Sequence, residues 1–157
     1  MTIGTPELVL VAGLSLLLLT TCVTDWRHRD IPNWLTGTIA ITAPLYWWAT
    51  GISLWPDAAI HLAIAAVTLG VLAALFAAGA MGGGDVKLLV ALALWIPGLD
   101  FMRLLIVMSI AGGVLTLGFL IRHKVAKIEA RPEIPYGIAI AFAGLWVLSQ
   151  RYLNHFI

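Results

Sequence analysis

Three charged residues carry the chemistry this chain could do. Asp85 and Lys87 stand two positions apart in Gly82-Gly83-Gly84-Asp85-Val86-Lys87, between two of the most apolar runs of the sequence. Asp25 stands sixty positions before Asp85, where the first apolar run ends. Charge at membrane depth is costly and is usually kept there for function. Two carboxylates that share a site cannot both ionise cheaply, so they share a proton. One then acts as general base on a water while the other, protonated, polarises a peptide carbonyl. That is the logic of aspartic proteolysis, and it asks for no metal, no cofactor and no nucleophilic side chain. Each residue also has a plainer reading. Asp25 alone is a polar residue at a helix end, and Asp85 alone is a cap for the amides of the helix it opens. Lys87 alone is an ion-pair partner for Asp85 or a cation snorkelling to the interface.

The elements decide between these readings, because only topology can bring Asp25 to Asp85. Of the 157 residues, 61% are hydrophobic and 11% are charged, against about 25% charged in an ordinary soluble domain. The expected fold is all-α: a polytopic membrane protein of about six transmembrane helices, forming one integral-membrane domain over residues 1–157. The net charge of +1 leaves no basic footprint for nucleic acid. The single cysteine, Cys22, excludes an intrachain disulfide and a cysteine-based zinc cluster. No basic run precedes the first apolar segment, which therefore reads as a permanent span rather than a cleaved signal.

Apolar segments are expected over residues 7–24, 34–50, 58–78, 85–95, 101–121 and 134–150. The fourth would rise only about 16 Å, against a hydrocarbon core of ~30 Å. It is either a half-span inside the bundle or a tilted helix extended into the glycine loop. Pro32 interrupts helical continuation, with Asn33 the expected N-cap of segment two and Asp100 that of segment five. Ala66, Gly70, Ala74 and Ala78 form a small-residue stripe suited to close helix packing in lipid.

Basic residues set the orientation. With the N-terminus outside, Arg27, Arg29, Lys87, Arg122, Lys124, Lys127 and Arg131 are cytoplasmic, and only Arg103 and Arg151 are outside. Asp25 and Asp85 then fall on the same cytoplasmic face. Trp47, Trp48, Trp55 and Trp95 gather near the outer interface, and Trp26 and Trp34 near the inner one.

Asp25, five residues, then Ile31-Pro32-Asn33 resembles the first motif of the type IV prepilin peptidases. Gly82-Gly83-Gly84-Asp85-Val86-Lys87-Leu88 is similar to their second motif, Gly-x-Gly-Asp followed by x-Lys. Ile134-Pro135-Tyr136-Gly137 resembles a third element, with Pro135 at the start of the last span. The three occur in the family's order and cover nearly the whole chain. The resemblance implies an integral-membrane aspartic endopeptidase of the bacterial inner membrane. Such enzymes cleave the short basic leader from pilins and pseudopilins at the cytoplasmic face, typically just after a glycine. Carried over by position, Asp25 and Asp85 would be the catalytic pair, and Gly82 and Gly84 would shape the loop that presents Asp85. Ile31, Pro32 and Asn33 would fix the start of segment two beside Asp25, and Lys87 matches the family lysine. Its partners would be a prepilin substrate and the lipid bilayer. Longer members carry a cytoplasmic insertion with two Cys-x-x-Cys pairs and also methylate the new N-terminus. That zinc-binding insertion is absent here, so methyltransferase activity is not expected. The compact form resembles the peptidases of tight-adherence (Flp-type) pili.

Other candidates fall away. Asp30 competes with Asp25 but reads as a solvated loop residue, and Asp57 and Asp100 belong to the opposite face. His28, His61, His123 and His155 read as loop or interface residues, and no His/Asp/Glu spacing suggests a metal site. Glu129 and Glu133 read as solvated, with contact to a basic leader the lesser alternative. Two rival functions remain. One is a preflagellin- or presenilin-like protease with another substrate. The other is a small transporter built on an intramembrane Asp85–Lys87 pair.

Overall fold

The computed structural model describes residues 4–125 and 134–153. Lys127, Glu129, Arg131, Glu133 and His155 lie outside the described residues. Six α-helices account for the six apolar segments, and there is no strand among the described residues. They are α1 (Thr5–His28), α2 (Asn33–Thr50), α3 (Ala59–Ala77), α4 (Gly83–Ala93), α5 (Gly98–Val125) and α6 (Tyr136–Leu153). A π-type turn over Leu54–Ala58 leads into α3. Three stretches are long and apolar enough to cross a membrane: Thr5–His28, Leu54–Ala77 and Gly98–Arg122.

α4 has only 11 residues, yet it packs against α2, α3, α5 and α6. Leu88, Leu89, Leu92 and Ala93 have no exposed surface. They meet Leu35 and Ile39 of α2 and Ile140 and Ala143 of α6 in one core that also takes Leu14 and Leu18 of α1. α5 is held chiefly by α6, and α6 also packs along α1.

A short helix that ends inside an apolar bundle must have partners for its last carbonyls. The carbonyls of Ala91 and Leu92 accept from the amides of Leu94, Trp95 and Ile96 in a tightened last turn. The indole N–H of Trp47 donates to the Leu94 carbonyl at 2.8 Å, and His61 Nδ1 lies 3.4 Å from the Ala93 oxygen. Trp95, buried and stacked on Tyr46 at 4.8 Å, donates to the Ile39 carbonyl at 2.7 Å. α4 is therefore a short helix buried in the bundle, and it begins two residues earlier than expected, within the glycine loop.

Several local expectations are corrected. α1 does not stop at Asp25; it runs on to His28, because Arg29 turns left-handed and its N–H closes the helix on the Asp25 carbonyl at 3.1 Å. Asn33 is not a cap: Pro32, fixed in extended backbone, precedes α2. Asp100 is no cap either. It lies in the first turn of α5 and pairs with Arg103 at 2.8 Å. The stripe Ala66, Gly70, Ala74 and Ala78 is exposed along α3. The face that α3 buries instead carries His61 and Ala65. Trp95 and His61 are internal hydrogen-bonding residues rather than interface ones.

The substitution Trp47→Phe removes a donor to a buried helix end, at a cost of about 1–3 kcal/mol. It should lower the thermal midpoint of the detergent-purified protein, whereas Trp48→Phe, at a position 78% exposed, should leave it unchanged.

Candidate active site

Asp25 occupies the last turn of α1 and is 5% exposed. Its Oδ2 accepts the backbone N–H of Ile138 at 3.1 Å, and the Gly137 N–H also donates to the carboxylate. These amides belong to the first turn of α6, where full intrahelical acceptors run out, and the Ile138 N–H is shared between Asp25 and the Pro135 carbonyl. The partial positive charge of a helix N-terminus favours an anion at that position. Asp25 is thus held by a helix whose contributing amide lies 113 residues further along the chain. The approach requires glycine at position 137: a Cβ there would lie 2.9 Å from Asp25 Oδ2 and 2.8 Å from Ile31 Cδ1.

Asp85 is the third residue of α4, after the extended N-cap residue Gly82. Its carboxylate accepts the Gly82 backbone N–H, the reach-back half of a capping box. It stands at the open end of α4, outside the three membrane-length helices.

The two carboxylates line one cavity of about 500 Å³, walled by Arg29, Asp30, Ile31, the glycine loop 82–84, Ile134 and Tyr136. The expected site-shaping residues sit around it in distinct ways. Ile31 is a buried wedge between the first turns of α4 and α6. A Cβ on Gly84 would come within 3.1 Å of it, so glycine sets how closely α4 approaches. Pro32 turns the chain into α2, its carbonyl accepting from Leu35 at 3.0 Å. The Pro135 carbonyl accepts from Ile138 at 3.3 Å and so helps start α6.

Lys87 is not the ion-pair partner of Asp85. Residues two apart on a helix face different ways, and Lys87 Nζ donates to Asn33 Oδ1 at 2.7 Å. Among the described residues the one ion pair is Arg103–Asp100. Lys87 and Asn33 together tie α4 to the start of α2, on the side away from the cavity, where a separate hollow is lined by Thr36, Gly37 and Leu69. Asp30 is exposed at the cavity margin. Two residues at the site carry roles that their types alone do not announce. Gly137 makes room for Asp25, a role foreshadowed only by its place in Ile134-Pro135-Tyr136-Gly137. Arg29 reaches the cavity wall, and nothing in its spacing predicts that.

A helical bundle with membrane-length apolar helices and two carboxylates on one cavity, each at a helix N-terminus, defines a class of candidate membrane-embedded hydrolases. The sequence model of the type IV leader peptidase family matches residues 12–121, and this chain belongs to that family. The matched stretch includes Asp25, Ile31, Pro32, Asn33, Gly82, Gly84, Asp85 and Lys87, and it ends before the Pro135 element. Comparison with curated proteins and with solved structures finds no match.

One outcome is expected from this geometry. Gly137→Ala should destabilise the protein by about 1–3 kcal/mol, as overpacking does, while Gly118→Ala, with nothing within 4 Å of its Cβ, should not shift the thermal midpoint.

Proposed function

We propose that the chain is a membrane-embedded aspartic endopeptidase. It removes the basic leader from type IV (Flp-like) prepilins or pseudopilins at the cytoplasmic membrane face. The observation that carries this reading is that Asp25 and Asp85 line one cavity in a chain of the leader peptidase family. The bias of basic residues toward the same end supports a cytoplasmic site.

The mechanism follows from the pair. Two carboxyls facing one cavity hold a single proton between them in the working pH range, and that proton belongs to the pair. A water bound between them loses a proton to the ionised carboxylate and attacks the scissile carbonyl carbon. The protonated carboxyl donates to the carbonyl oxygen, giving a neutral gem-diol. Proton return to the leaving nitrogen breaks the C–N bond and restores the singly protonated pair. The α6 amides hold Asp25 in position, and the α4 reach-back holds Asp85, so neither carboxylate has to reorganise as the reaction proceeds.

A substrate pilin presents an apolar helix to the bilayer and a basic leader to the cytoplasm. Its scissile strand must unwind to enter the cavity. The negative excess of Asp25, Asp30 and Asp85 over Arg29 suits a basic leader. The lone Cys22 provides no zinc-binding insertion, so N-methylation lies outside this proposal. The protein would work as a single integral-membrane domain with Gly82, Gly84, Ile31, Pro32, Asn33, Lys87 and Pro135 as supporting residues.

Purified protein in liposomes should cleave a prepilin near the membrane interface. Asp25→Ala and Asp85→Ala should each abolish cleavage while leaving the protein membrane-inserted. Wild-type rates from either variant would overturn the mechanism.

A further inference from the structure

Arg29 combines three features, of which only the first, the left-handed turn that closes α1, is explained by the fold. It is the one non-glycine residue with positive φ among the described residues, at φ 56° and ψ 30°. Side chains other than glycine's visit that region at a cost, and such strain persists where surrounding structure imposes it. Its guanidinium lies 5.0 Å from the Phe119 ring centre and 5.8 Å from that of Trp26. Those two rings pack edge-on at 6.4 Å, so α1 and α5 hold the planar group in place. Finally, its Nη1 is buried with no hydrogen-bond partner, and no other buried side-chain nitrogen or oxygen among the described residues is in that position.

Arg29 is half-buried and its charge is felt by Asp25, but a donor atom shut off from water and left without an acceptor is expensive. Asp25, Asp30 and Asp85 line the same cavity as Arg29, yet none of them is within ion-pair distance of it. A guanidinium held between two rings and an orphan N–H on that cavity wall fit together if the acceptor arrives with a ligand. The ligand's chemistry follows from charge. Three carboxylates already outnumber the guanidinium, so an anionic ligand would be repelled. A neutral oxygen would not, and an extended peptide strand presents carbonyl oxygens at regular intervals.

Building on the peptidase reading above, we propose that Arg29 is a substrate-binding residue. Its Nη1 donates to a main-chain carbonyl oxygen of the peptide strand lying between Asp25 and Asp85. The clamp by Trp26 and Phe119 sets the donor's position before the strand arrives, which lowers the ordering cost of binding. The contact is made to substrate and transition state alike, so its loss should appear in KM rather than kcat.

The test uses the full-length protein in liposomes with a prepilin substrate. Arg29→Met should lower kcat/KM about 10- to 100-fold, the range for a hydrogen bond to a charged group, with the loss in KM. Arg29→Gly should raise KM equally while leaving the thermal midpoint unchanged or higher, because glycine relieves the left-handed backbone. Arg29→Lys, which keeps the charge but not the fork, should fall between. A purely structural clamp gives the opposite pattern, a lowered midpoint with wild-type KM, and would overturn the proposal. A second arm does not depend on turnover. In the Asp85→Asn background, Arg29→Met should weaken binding of a leader-spanning peptide by the same factor, and equal affinity would overturn it. Wild-type protein that binds this peptide through Arg29 yet cleaves no prepilin would sink the peptidase reading while leaving the binding residue in place.

Discussion

The carboxylate of Asp25 resting on the first amides of α6 is the contact on which the rest of the structure depends. A buried anion needs donors, and a helix N-terminus has donors without acceptors. Each satisfies the other. The same exchange occurs once more at the site, where Asp85 reaches back to the Gly82 amide at the start of α4. Two helix N-termini therefore converge on one cavity, each bound to a carboxylate. Ile31 stands between them and sets their separation, with Gly84 and Gly137 giving the room that the wedge and the carboxylate require.

α4 shows how the other end of this arrangement is held. A helix of 11 residues cannot cross an apolar layer, so its last carbonyls fall inside the bundle. Trp47 and His61, from two different helices, take up the Leu94 and Ala93 oxygens. Trp95 fixes the chain beyond by bonding to Ile39. Asp85 is placed from both directions: by its own cap at one end of α4 and by these side-chain donors at the other. The tie between Lys87 and Asn33 adds a lateral hold on α2.

Much of this was legible in the sequence. Apolar runs punctuated by Pro32, the glycine loop and Pro97 are enough to count six helices and to flag the fourth as short. Motif order pointed to Asp25 rather than Asp30, and of the two it is Asp25 that is buried against the cavity while Asp30 is exposed at its margin. What sequence could not supply was side-chain direction. Trp95 and His61 look like interface residues because their types favour interfaces, but tertiary packing turned them inward toward unpaired carbonyls. Asn33 and Asp100 look like caps because their types favour caps, yet long-range or local charge took their oxygens instead. The small-residue stripe of α3 has the spacing of a packing face, but apolar character on every side of that helix gives no preference for which face turns in. The left-handed turn at Arg29 leaves no composition signal, since arginine is not a residue that favours it.

The α6 amides that hold Asp25 have a consequence in time. Both carboxylates and the wedge between them are encoded in the first part of the chain, but the amides come from the last of the six helices. During synthesis, a nascent chain carrying α1 to α5 owns the whole pair of acids and not the cradle that fixes one of them. The cradle of Asp25 is therefore completed only when α6 folds against α1, after every other element around the cavity has been made.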